Sequence, residues 1–147
     1  MKSWRSREGK TIVARVLVDS NVLLDVLTED PVWYGWSSSQ LAACAEKNEL
    51  CINSIIYSEI SIGFDKVEDL EAVLPKEYFL YLQLPYEAAF LAGKCFVKYR
   101  RAGGEKISPL PDFFIGAHAA VEGMSLLTRD KGRYQTYFPT LTVIRPE

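Results

Sequence analysis

The chain of 147 residues holds one histidine, three cysteines and two methionines, and it has no long apolar run. A membrane helix needs about 18 consecutive apolar residues, and no stretch approaches that. Cys44, Cys51 and Cys95 are odd in number and widely spaced, which argues against a disulfide framework. With His118 as the only imidazole, they also lack the spacing of a zinc site. The opening residues 1–10 have no apolar core of a signal peptide, so a reducing, cytoplasmic setting is expected. Internal repeats, low-complexity segments and interdomain linkers are likewise missing.

Charge of one sign is also scarce. The formal net charge of −2 excludes a protein that binds nucleic acid through bulk positive charge. The distribution is uneven, however: Lys2, Arg5, Arg7, Lys10 and Arg15 stand against Glu8 alone, a local balance of +4 that leaves −6 for the rest. This basic segment is expected either to touch phosphates or to form a flexible extension over residues 1–11, ahead of a single domain over residues 12–147. A composition of 48% hydrophobic and 24% charged residues is that of a folded globular chain. At this length one core suffices.

Hydrophobic patterning predicts strands over residues 12–18, 50–53, 78–84, 125–128 and 141–144. Helices are predicted over 21–27, 37–47, 54–64, 66–74, 86–102, from Pro109, Pro111 and Asp112 to Glu122, and as a short turn over 131–134. Short apolar strands alternating with longer helices point to an α/β fold: a three-layer α/β/α sandwich around a central, mainly parallel sheet of four to five strands. In such sheets ligands bind beyond the carboxyl ends of the strands. Asp19 and Asp130 each follow a predicted strand directly.

Two more acids stand where a carboxylate is costly. Glu59 shares its helix face with Ile55, Ile56, Ile62 and Gly63, and Asp112 begins a helix whose same-face successors are Ile115, Gly116 and Ala119. Asp19, Asp112 and Asp130 are equally well suited to capping helices. Glu59 has no such use, since an unpaired acid on an apolar face only costs stability.

The strings Leu17-Val18-Asp19-Ser20-Asn21-Val22-Leu23-Leu24, Ser58-Glu59-Ile60, Pro111-Asp112-Phe113-Phe114-Ile115-Gly116-Ala117-His118-Ala119 and Leu127-Thr128-Arg129-Asp130 resemble, in order and spacing, the acidic motifs of the PIN-domain ribonucleases. The likeness is closest to the VapC-type toxins of toxin–antitoxin pairs, and it spans about residues 13–145. Asp19, Glu59, Asp112 and Asp130 are then the implied catalytic, metal-binding acids, with Asn21 and Thr128 as polar neighbours. The resemblance also implies one or two Mg²⁺ or Mn²⁺ ions, an RNA substrate, a homodimer and an antitoxin partner. The basic segment before residue 12 and the loose approach Gly103-Gly104-Glu105-Lys106 depart from the pattern.

Hard cations prefer oxygen ligands and lower the pKa of their bound water, so an all-carboxylate cluster can support hydrolysis without a protein nucleophile. His118 lies six residues after Asp112, roughly 240° around the helix, and is expected to be a packed or surface side chain. Arg129, Lys131 and Arg133 are expected to meet RNA phosphates, unless they form an ordinary solvated turn. Trp33, Tyr34 and Trp36 are expected in a core or dimer interface, with stacking on unpaired bases as the other role. The rivals are a housekeeping RNA-processing nuclease, a PIN-like module that only binds RNA or protein, a phosphatase with Asp19 as nucleophile, and a receiver domain. Asn21 stands where such a phosphatase wants a second Asp, and no mid-chain phospho-accepting Asp is placed at a strand end.

Overall fold

In the computed structural model the described residues are 14–104, 109–130 and 132–147. The expectations for the basic segment 1–11, for Glu105 and Lys106, and for Lys131 lie outside them. The sequence run of Val16, Leu17 and Val18 is buried on both faces, which requires a strand flanked by neighbours on each side and covered above and below. That strand, β1 (Ala14–Val18), is the centre of the sheet. The chain continues through α1 (Ser20–Leu27), α2 (Tyr34–Lys47), β2 (Asn48–Asn53), α3 (Ser54–Ser61), α4 (Val67–Val73) and β3 (Phe79–Leu82). It then forms α5 (Tyr86–Arg101), α6 (Leu110–Glu122), β4 (Ser125–Leu127), α7 (Arg133–Tyr137) and β5 (Val143–Ile144).

The five strands lie in the order β3-β2-β1-β4-β5, every pair parallel, with helices packed against the sheet. The chain moves outward from β1 to β3, then returns to place β4 on the other side of β1. This reversal opens a crevice between the carboxyl ends of β1 and β4, where parallel sheets bind ligands. Val18 pairs in register with Leu127, and the Asp19 N–H donates to the Leu127 carbonyl at 2.9 Å. Asp19 and Thr128 therefore leave the sheet side by side.

Local chemistry sets the element ends. Helix α2 starts three residues before its expected position because Asp30 Oδ2 accepts the N–H groups of Val32 (3.0 Å) and Trp33 (2.8 Å). Gly123 closes α6 in the left-handed region at φ 69°, which suits glycine. Helix α6 also comes very close to α7: a Cβ at Gly116 would lie 2.4 Å from the Phe138 ring and 2.9 Å from that of Tyr134. Cys44, Cys51 and Cys95 are free and buried. Among the described residues no helix is long and apolar enough to cross a membrane.

Candidate active site

Asp19 is the residue on which the crevice is built. It caps α1, with Oδ1 accepting the Ser20 N–H at 2.8 Å, so the capping role and a site role coexist. Its other oxygen, Oδ2, accepts the Thr128 hydroxyl at 2.7 Å and the Tyr134 hydroxyl at 3.1 Å. All these donors are uncharged, and the side chain sits in a residue only 4% exposed. Burial, opposed by the Thr128 bond and reinforced by the charges of Asp112 and Glu59, raises its carboxyl to about 7.

Glu59, half-buried on α3, faces the same crevice. The Ser20 hydroxyl donates to its Oε1 at 2.7 Å, joining the first turn of α1 to α3. Burial and the nearby Asp112 raise its carboxyl as well. Asp112 comes from the first turn of α6 but does not cap it: Pro109 holds the cap position without a side-chain bond. Its Oδ2 instead accepts from Arg133 Nη1 at 3.0 Å. Burial nevertheless outweighs this cation and raises the Asp112 carboxyl, with Asp130 adding repulsion.

Asp130 stands apart from these three. Its Oδ2 accepts the N–H groups of Gly132 (3.1 Å), Arg133 (2.8 Å) and Tyr134 (3.4 Å), so it organises the start of α7 at the rim of the crevice. Among the described residues no three carboxylate, imidazole or thiol groups are drawn tightly enough together to enclose an ion as they stand. Asp19, Glu59 and Asp112 share a crevice and feel one another's charge, with Arg133 lodged against one of them.

Asn21 and Thr128 occupy the supporting positions. Asn21 Nδ2 donates to Thr128 Oγ1 at 3.3 Å, and Asn21 Oδ1 accepts the Arg129 N–H at 3.1 Å. Arg129, expected among the phosphate contacts, instead directs Nε (2.6 Å) and Nη2 (3.0 Å) at the buried Asp25 and lies over the Trp33 ring at 5.2 Å. Trp33 and Trp36 are half-buried and meet edge to face with ring centres 6.2 Å apart, while Tyr34 is exposed.

His118 is buried at the neighbouring strand end rather than in the crevice. Asn53 caps α3 by accepting the Ile56 N–H through Oδ1, which leaves its Nδ2 facing His118 Nδ1 at 2.9 Å. Since Nδ2 only donates, Nδ1 is the unprotonated nitrogen. Burial lowers the imidazole's pKa, and the expected packed role holds.

Sequence reading missed Ser20, Tyr134 and Asp25. Asp25 carried a legible signal, being the only charge in the apolar string Val22-Leu23-Leu24-Asp25-Val26-Leu27. Nothing local marks Tyr134, whose partner Asp19 is 115 residues away in sequence.

A comparison with curated proteins finds no match. Among solved structures, the fold is similar to VapBC2 from Rickettsia felis bound to a promoter DNA fragment, with a TM-score of 0.69 and 20% identity over 90% of this chain and 99% of that one. It is similar to DNA-bound VapBC from Salmonella typhimurium, with a TM-score of 0.65, and to a toxin–antitoxin complex from Klebsiella pneumoniae, with a TM-score of 0.64; both are 20% identical over 90% of this chain and 98% of theirs. These likenesses speak to the fold. The PIN domain family matches residues 16–139, which takes in all four acids and nearly the whole sheet, and the chain belongs to that family.

Proposed function

We propose that the chain is a metal-dependent endoribonuclease that cleaves RNA phosphodiester bonds, acting as the toxin of a toxin–antitoxin pair. The carrying observation is the gathering of Asp19, Glu59 and Asp112 at the β1/β4 switch point, all three carboxyls raised by burial. Packing gains nothing from mutually repelling acids that are buried or half-buried, and such groups collect where function requires them.

The donor set fits a hard divalent cation such as Mg²⁺ or Mn²⁺: carboxylates with the Ser20 and Thr128 hydroxyls beside them, and no imidazole or thiolate. Asp19, Glu59 and Asp112 would hold one or two ions, with Asp130 at the rim. Such an ion supplies an activated water near neutral pH and offsets charge that develops on the phosphate. The protein's own contribution is orientation. Thr128 and Tyr134 fix Asp19 Oδ2, and Ser20 ties Glu59 to the start of α1. Arg133 is exposed and bonded to Asp112, so it can release that acid to an ion and turn to a substrate phosphate.

The toxin reading is supported by the fold's likeness to solved VapBC and toxin–antitoxin complexes. It brings with it an antitoxin partner and a homodimer. The test is incubation of purified protein with labelled RNA and Mg²⁺ or Mn²⁺. Cleavage that stops with chelator and is missing in Asp19→Asn is expected; robust cleavage by Asp19→Asn sinks the proposal. A small protein encoded beside this chain's gene that binds it and blocks cleavage would establish the toxin role.

A further inference from the structure

We infer that Asp25, together with Arg129 and Ser37, is a positioning device that fixes the turn carrying Thr128 and Asp130 against Asp19. The inference rests on the proposed role of Asp19 as a carboxylate that works on a bound ion.

Asp25 is 3% exposed, and its hydrogen bonds run to Ser37 and Arg129 rather than to the acids of the crevice. Its Oδ2 accepts from Ser37 Oγ and from Arg129 Nε, both at 2.6 Å, and its Oδ1 accepts from Arg129 Nη2 at 3.0 Å. Asn21 lies one helical turn earlier on the same face of α1. There it bonds the Arg129 backbone and the Thr128 hydroxyl. Helix α1 therefore grips residues 128–129 at two points, one at the backbone and one at the far end of the Arg129 side chain.

The grip determines where a proton points. A threonine hydroxyl has one proton and two lone pairs. Thr128 Oγ1 accepts from Asn21 Nδ2 at 3.3 Å and from the Asp130 N–H at 3.0 Å, which uses both lone pairs. Its proton is thereby directed to Asp19 Oδ2 at 2.7 Å. A displaced turn would free the hydroxyl to rotate, and Asp19 would lose its shortest bond and keep only the Tyr134 hydroxyl on Oδ2. Buried ion pairs are poor stabilisers compared with apolar packing, but they specify geometry. A device of this kind acts on the site as well as on the fold.

Asp25→Asn and Arg129→Lys in the full chain test this, using free Mn²⁺ as the probe by electron paramagnetic resonance, single-turnover RNA cleavage and Tm in chelator. In each variant the Mn²⁺ half-saturation is expected to rise roughly ten-fold, as for other residues that orient metal ligands. Cleavage at saturating Mn²⁺ should fall about ten-fold or more, with half-saturation by RNA moving less than about two-fold. The double variant should be no worse than the worse single one. Parental Mn²⁺ binding and cleavage with only Tm lowered would overturn the inference. Should Asp25→Asn fail to fold, Arg129→Lys decides, since it alters a side chain that is 29% exposed. If the parent binds Mn²⁺ but cuts no RNA, the proposed function fails while the Mn²⁺ half-saturations still decide the positioning role. A parent that binds no Mn²⁺ overturns both.

Discussion

Helix α1 has one buried aspartate at its N-cap and another in its last turn, and the two have opposite surroundings. Asp19 is 4% exposed and Asp25 is 3% exposed. Asp25 meets a guanidinium through two bonds and a serine through a third. Asp19 meets only an amide and two hydroxyls, and the charged groups that raise it are carboxylates. A buried charge with its partner in place is part of the fold. A buried acid whose neighbours repel it is held by the fold at a cost, and such groups collect where function requires them.

The largest expected break of this contrast is in activity. Asp19→Asn keeps the shape but removes the charge and turns one acceptor oxygen into a donor, so RNA cleavage should fall by at least about 100-fold, as when metal-site partners are lost. The same substitution should leave Tm in chelator equal to the parent or higher, because it relieves repulsion. A drop of several degrees would mean that Asp19 serves the fold as Asp25 does. Asp112→Asn should behave likewise, losing cleavage without losing metal-free stability.

Asp25→Ala is the mirror experiment. It leaves Arg129 and Ser37 without their acceptor, and breaking one side of a buried pair typically costs about 3 kcal/mol, a Tm loss of roughly 5–10 °C. An unchanged Tm would place Asp25 outside the fold's support and undo the contrast.

The pH dependence probes Asp19 more gently. Asp19 is raised from 3.8 to about 7, so the folded chain keeps a proton that the unfolded chain releases near pH 4. The stability linked to that proton is complete below pH 4 and is lost as pH rises through about 7. In chelator, the parent's Tm should therefore fall relative to Asp19→Asn between about pH 4 and 7, and Mn²⁺ should remove the fall. His118 pulls the other way, since its lowered pKa favours the neutral ring and its contribution fades as pH drops. It is present in both proteins and cancels in the difference. A flat difference across this range would show that Asp19 is already ionised in the metal-free fold.

These outcomes also bear on what could be read before the fold was known. The five strands and the acids at their ends follow from short-range pattern: an apolar run that stops at Asp19, a helix face interrupted by Glu59, a Pro-rich start before Asp112. The sandwich around a mainly parallel sheet was legible for the same reason. Arg129 was not, because whether a basic residue beside an acid turns to solvent or to the core depends on Asp25, 104 residues earlier in sequence. Asp130 was ambiguous for a related reason. An acid after a strand suits a helix cap and an ion equally, and the structure gives it three backbone donors at the start of α7.

Tyr134→Phe is the smallest change and bears on how Asp19 is held rather than on whether it is charged. The ring is 1% exposed and packs close to Gly116, so phenylalanine keeps the packing and deletes only the hydroxyl bonded to Asp19 Oδ2. That hydroxyl lowers the Asp19 pKa, since it donates to the charged form. Its removal should therefore raise the pKa further, delay ion binding to higher pH and cost about 1 kcal/mol or less in the fold. Cleavage should drop a few-fold at pH 7 and recover towards the parent at higher pH, where Asp19 ionises regardless. A drop that persists unchanged to high pH would mean that Tyr134 contacts the substrate itself, and that Thr128 alone fixes Asp19 Oδ2.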